Sequence, residues 1–157
     1  MKRAVSILII STLFVYAKID KAPVKIEMKS YKKSFVVDKN GKKVVKWLKP
    51  TKVIPGDIIK YVDIIKNSSD KDLDSATITN KIDKNLIFIP NSISSDLKYK
   101  VEFSVDKNLF ANANKLVIKK GNKMVKAQPK DYRAIRFKLL NVPKHSVKQI
   151  SYQVKIK

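Results

Sequence analysis

The chain predicts an all-β fold, an Ig-like antiparallel β-sandwich behind a short N-terminal leader, and three observations carry that expectation. Residues 54–92 break into short β-prone runs separated by Pro-Gly, Asn-Ser-Ser-Asp and Pro-Asn-Ser turn chemistry, which is how sandwich strands are spaced. Several other segments alternate apolar and polar residues with period two, giving each strand one dry and one wet face. No helical period of useful length runs through residues 18–157.

The elements follow in order. Val24, Ile26 and Met28 alternate with Lys25, Glu27 and Lys29, which predicts a half-buried strand. Residues 34–37 and 43–48 are β-prone runs on either side of Asp38-Lys39-Asn40-Gly41, and Asn-Gly in that position signals a hairpin. Pro50 and Pro55 bracket the connection onward. Strands are expected over 57–66, 76–82 and 86–89, then over 99–105, where Tyr99, Val101, Phe103 and Val105 alternate with Lys100, Glu102 and Ser104. Residues 106–114 could hold one helical turn, and residues 116–119 and 124–127 flank Gly121-Asn122 as a further hairpin. The alternations of Ile135, Phe137 and Leu139 and of Ile150, Tyr152, Val154 and Ile156 complete the set. By strand phase, Tyr61, Phe103, Phe137 and Val154 belong to one core.

The first seventeen residues read differently. Lys2 and Arg3 precede a short apolar run, and Val15-Tyr16-Ala17 offers a signal-peptidase boundary, so residues 1–17 are expected to be a secretory signal peptide and Lys18 the mature N-terminus. The apolar run is shorter than the ~20 residues a spanning helix requires, so no transmembrane span is expected after cleavage. No cysteine is present, which removes acyl anchoring through Cys, disulfides and Cys-based zinc sites together. Lys and Arg number 35 against 13 Asp and Glu, a net charge of +22 that falls to +20 without Lys2 and Arg3. Such a field favours anionic partners: lipopolysaccharide, anionic lipid, acidic glycan or nucleic acid. Only Arg3, Arg133 and Arg136 are arginines, and Lys is a hydrated point charge poorly suited to bidentate contacts, which disfavours nucleic acid.

Pro55, Gly56, Asp57, Tyr61, Asn67, Leu86, Phe88 and Ser92 form a spaced pattern that resembles a bacterial cell-surface repeat domain family of unassigned function. The likeness continues through Gln128-Pro129-Lys130-Asp131-Tyr132 into Ile135-Arg136-Phe137, and through the Val142-Pro143-Lys144-His145-Ser146 turn, where Lys144 replaces the family's usual Gly. It covers roughly residues 51–156, with residues 18–50 read as N-terminal strands and hairpin of the same domain and 51–157 as the repeat domain. The resemblance implies an Ig-like sandwich exposed at the cell surface. Only one copy of the Pro-Gly-Asp motif occurs, so this is one module and not an array.

Candidate chemistry is sparse. His145 is the only histidine and sits in a turn, with no nucleophile elbow anywhere, so no catalytic residue is assigned. Gly41, Gly56 and Gly121 are far apart and build no phosphate cradle, and no cofactor is expected. Asp70, Asp72 and Asp74 alternate as calcium loops begin, but Ser75 and Lys81 occupy the positions where an EF-hand requires Gly and Glu, so they stand only as weak metal candidates. Asp63 shares a strand face with Ile59, Tyr61 and Ile65; it would be either the acid of a salt bridge to lysine or the acid promoting a Lys–Asn isopeptide bond, a device of bacterial surface sandwiches. Lys46, Trp47, Lys49 and Lys52 combine three cations with the sole Trp and form the candidate polyanion contact. The expected role is an exported, non-catalytic structural or adhesive module of the bacterial envelope, periplasmic or at the cell surface, meeting other envelope proteins. The alternative is a basic polyanion-binding module.

Overall fold

A computed structural model describes residues 23–157; the signal peptide expected over residues 1–17 and the expected N-terminus at Lys18 lie outside them. The described residues form eleven strands and a single 3-10 turn: β1 (Val24–Val37), β2 (Lys43–Leu48), β3 (Ile58–Asn67), β4 (Leu73–Lys81), β5 (Leu86–Phe88), β6 (Ser94–Ser95), β7 (Tyr99–Ser104), β8 (Val117–Lys120), β9 (Lys123–Lys126), the 3-10 turn Pro129–Asp131, β10 (Ala134–Val142) and β11 (Ser146–Ile156). No helix among these residues is long and apolar enough to cross a membrane.

Two antiparallel sheets face each other as a β-sandwich. The larger, sheet A, runs β2-β1-β3-β11-β5 with β6 beside β11, and sheet B runs β4-β10-β7; β8 and β9 make a separate hairpin. Odd-numbered residues of β3 point inward, and the partners that register gives them on β11 do the same: Ile59 with Val154, Tyr61 with Tyr152, Asp63 with Ile150. Ile78 of β4 and Ile135, Phe137, Leu139 and Val142 of β10 close the core from sheet B. Phe103, Phe137 and Val154 are buried and Tyr61 packs half-buried against them, so the four residues phased from sequence do share one core.

Two expectations are corrected. The runs around Val24 and Ser34 are one continuous strand, because Lys32 pairs with both Ile59 of β3 and Leu48 of β2 and carries the strand across the junction. No helical turn forms in residues 106–114. There, Asp106 Oδ1 accepts the backbone N–H groups of Asn108 (2.8 Å) and Leu109 (3.0 Å) and the Ser104 hydroxyl (2.9 Å), an Asx-type turn that competes with helix. These donors hold the Asp106 carboxyl below its ordinary pKa.

Candidate functional site

The Pro-Gly-Asp to Ser pattern spends its polar atoms on architecture. Gly56 takes φ +94°, which L side chains rarely adopt, and its N–H donates to Ile156 O at the end of β11 (2.9 Å). Asp57 Oδ2 accepts the Ile54 N–H at 2.8 Å and pairs with Lys32 Nζ of β1 at 2.6 Å. The Lys32 hydrogen bond, followed by the Ile54 donor, keeps the Asp57 carboxyl below its ordinary value. Asn67, 1 % exposed, donates Nδ2 to the carbonyls of Lys71 (3.0 Å), Val142 (3.3 Å) and Pro143 (3.1 Å), while its Oδ1 accepts from Ser69. Ser92 Oγ donates to Ile89 O and accepts the Gln153 N–H at 3.0 Å. Gly56, Asp57, Asn67 and Ser92 each tie a turn to a strand of sheet A or to the β10–β11 connection, while Tyr61, Leu86 and Phe88 pack in or against the core. The turn before β11 places its left-handed residue at His145 (φ 48°), leaving Lys144 out of that conformation.

Asp63 is buried on the Tyr61 face of β3, and its partner differs from the lysine expected for a salt bridge. Asn80 Nδ2 of β4 donates to Asp63 Oδ2 at 2.6 Å across the two sheets. Asp63 Oδ1 has no hydrogen-bond partner among the described residues. The Tyr152 hydroxyl stands beside the same pair, and burial pushes both Asp63 and Tyr152 above their ordinary pKa values. The buried polar residues among those described are Asp63, Asn67, Asn80 and Ser104. The cluster thus holds an acid and an amide, with no buried lysine amine beside them.

Of the three aspartates, Asp70 and Asp72 lie in the β3–β4 loop and Asp74 lies within β4. Asp70 faces His145 Nε2 at 2.9 Å, and Asp72 Oδ1 accepts the Lys144 N–H at 2.7 Å. Among the described residues no three His, Cys, Asp or Glu side chains gather as a metal-ligand set.

The lysine and tryptophan segment is split by the pleat. Trp47 pairs with Lys33 and Lys46 with Ser34, so Lys46 and Trp47 project from opposite faces of β2. Lys49 lines a recess with Met28, Ser30 and Pro50, and the Lys52 carbonyl accepts from Lys32 Nζ at 3.2 Å. Trp47 instead meets Lys60 of β3, whose Nζ lies 4.1 Å from the ring centroid. The sequence did not mark Lys60, because its contact depends on which strands β1 separates. Around this pair the outer face of sheet A forms a trough of about 390 Å³ lined by Tyr31, Trp47, Lys60, Val62, Gln149 and Gln153 among others.

Beyond the trough, the β1–β2 hairpin outruns the sandwich. The β1–β3 ladder ends at Lys32↔Ile59, whereas the β1–β2 ladder continues to Val37↔Lys43. Phe35 (69 % exposed) sits opposite Val45 (47 %) on the outer face, with Val37 (64 %) next to it. The other ladder edge of residues 24–31 has no strand partner among the described residues. No protein-family model matches the chain, and no curated protein and no solved structure is significantly similar to it.

Proposed function

We propose that the protein is an exported, non-catalytic adhesive module of the bacterial cell envelope, an Ig-like sandwich that works through its outer surfaces. The observation that carries this reading is the projecting hairpin: Phe35, Val37 and Val45 stand exposed on a strand pair that the sandwich core does not need. Large apolar side chains gathered on one exposed face mark contact surfaces. The motif residues add support, since their polar atoms build turns and converge on no reacting centre. The test is fractionation of cells expressing the full chain, beside a Phe35→Ser/Val45→Ser variant. The expected result is a chain processed at Lys18 and retained in the envelope, with the variant equally folded but released. An unprocessed cytoplasmic chain, or equal retention of the variant, overturns the reading.

A second reading, binding of a polyanion, is favoured by a separate observation. Lys60 makes no ion pair among the described residues and rests on an aromatic ring in the lining of a polar trough. The net charge, +22 for the full chain and +20 without Lys2 and Arg3, supplies the long-range attraction.

A further inference from the structure

We infer that the trough on the outer face of sheet A is a binding site for a carboxylate-bearing oligosaccharide. The inference rests on the polyanion reading and names its ligand class and its site. Tyr31 of β1, Lys60 of β3 and Gln153 of β11 stand opposite one another in a single cross-strand row. Gln149 and Ser151 continue along β11, with Ser94 of β6 paired to Ser151. From β2 to β11 the trough crosses three strand intervals, roughly 14 Å, the reach of a short oligosaccharide.

The side chains supply complementary chemistry. Tyr31 and Trp47 bring aromatic rings to the trough lining. There, electropositive sugar C–H groups can pack on an electronegative ring face other than the Trp47 face that Lys60 covers. The side chains of Gln149, Gln153, Ser94 and Ser151 make no hydrogen bond to the protein among the described residues, so their amides and hydroxyls are available to sugar hydroxyls. Lys60 holds a lone ammonium at the centre of the row, positioned by the Trp47 ring for one carboxylate. Glu27, on the same face, is held by Lys25 at 2.6 Å and does not oppose it. A nucleic-acid strand would instead call for a line of cations along its phosphates. The trough lining itself holds one cation, Lys60, among neutral donors and acceptors, with Lys29 and Lys33 on the same face outside that lining.

Trp47 is the sole tryptophan, so its fluorescence reports this site alone. The experiment titrates the protein, at physiological salt, with oligogalacturonate, its methyl ester and a single-stranded oligonucleotide. Saturable change of Trp47 fluorescence by the free acid is expected, with little response to the ester. Trp47→Ala, followed by calorimetry, and Gln153→Ala should each weaken binding by about tenfold. Lys60→Gln should erase the preference for acid over ester. A Lys46→Gln/Lys49→Gln/Lys52→Gln variant should bind as the parent does. Binding that ignores Trp47 and Gln153 and falls with that triple variant overturns the site while leaving polyanion binding intact. Tighter binding of the oligonucleotide than of the oligogalacturonate also overturns it. Absence of binding to any of the anions removes the polyanion reading and this inference together.

Discussion

Asn80 Nδ2 donates to Asp63 Oδ2 at 2.6 Å between the two sheets, in the interior of the sandwich, while the second carboxylate oxygen of Asp63 has no partner among the described residues. A buried carboxylate with one amide and no cation is unfavourable as an anion, because one hydrogen bond does not replace its hydration. Burial raises the Asp63 pKa above its ordinary value of 3.8, against the smaller opposing effect of Asn80.

The sign of the pH dependence follows. With the folded pKa raised, the contribution of Asp63 to stability is complete below the unfolded value and is lost as pH rises through the folded one. Asp63→Asn removes the charge and keeps the shape, so it should raise stability at pH 7 by about 1 kcal/mol or more. The gain should shrink as the pH is lowered toward the ordinary carboxylate range. Denaturant midpoints of parent and variant across pH 4 to 8 measure it; a gain that does not vary with pH contradicts a raised Asp63.

Asp57 should behave in the opposite sense. Lys32 and the Ile54 N–H lower its pKa, so its contribution is present above the ordinary value and is lost as pH falls through the depressed one. Asp57→Asn should therefore destabilise the protein at neutral pH and lose that effect in acid. Lys32→Gln should reproduce part of the loss, since the pair joins the Pro-Gly turn to β1. Thermal melts of the two single variants and the double variant, at neutral and acid pH, provide the check.

Asn67 carries more of the fold than its size suggests. Its side chain satisfies three carbonyls and accepts from Ser69, all at the junction of β3, β4 and the β10–β11 turn. Asn67→Ala leaves buried groups unpaired and should cost about 2 kcal/mol or more. Asn67→Asp keeps the acceptor but loses the donors, and should cost nearly as much. Urea unfolding midpoints decide this, and wild-type stability in either variant would show that water replaces the side chain.

Phe137 is fully buried, with its ring centroid 5.8 Å from that of Tyr152 and 6.4 Å from that of Tyr99. Phe137→Ala should cost about 3 to 5 kcal/mol through lost burial and an unfilled cavity. An unchanged melting temperature would mean that the strand phase of β10 is wrong.

Chelation should leave the melting temperature where it is, since Asp70 faces His145 and Asp72 caps Lys144 instead of sharing an ion. A drop of several degrees with a chelator would restore the aspartate loop as a cation site.

The class of the fold was legible in the sequence because strand alternation has a period of two and turns have their own residues. Period two placed Phe103, Phe137 and Val154 in the core, and Asn40-Gly41 marked the β1–β2 hairpin. Asp63 was phased with Tyr61 on a strand apolar on both faces, so its burial was decided by the sheet packing. The pleat also implied that Lys46 and Trp47 face opposite ways, although their proximity in sequence suggested one patch. What only the tertiary structure decided was which strands lie side by side and which face each other across the core. Strand pairing sets Gln153 and Tyr31 on either side of Lys60, and lets Lys60 reach Trp47 over β1. Sheet packing sets Asn80 against Asp63, 17 residues away in the chain and on the opposite sheet. Alternation is local and survives in the one-dimensional pattern, whereas sheet order and face-to-face packing join residues whose separation along the chain carries no signal.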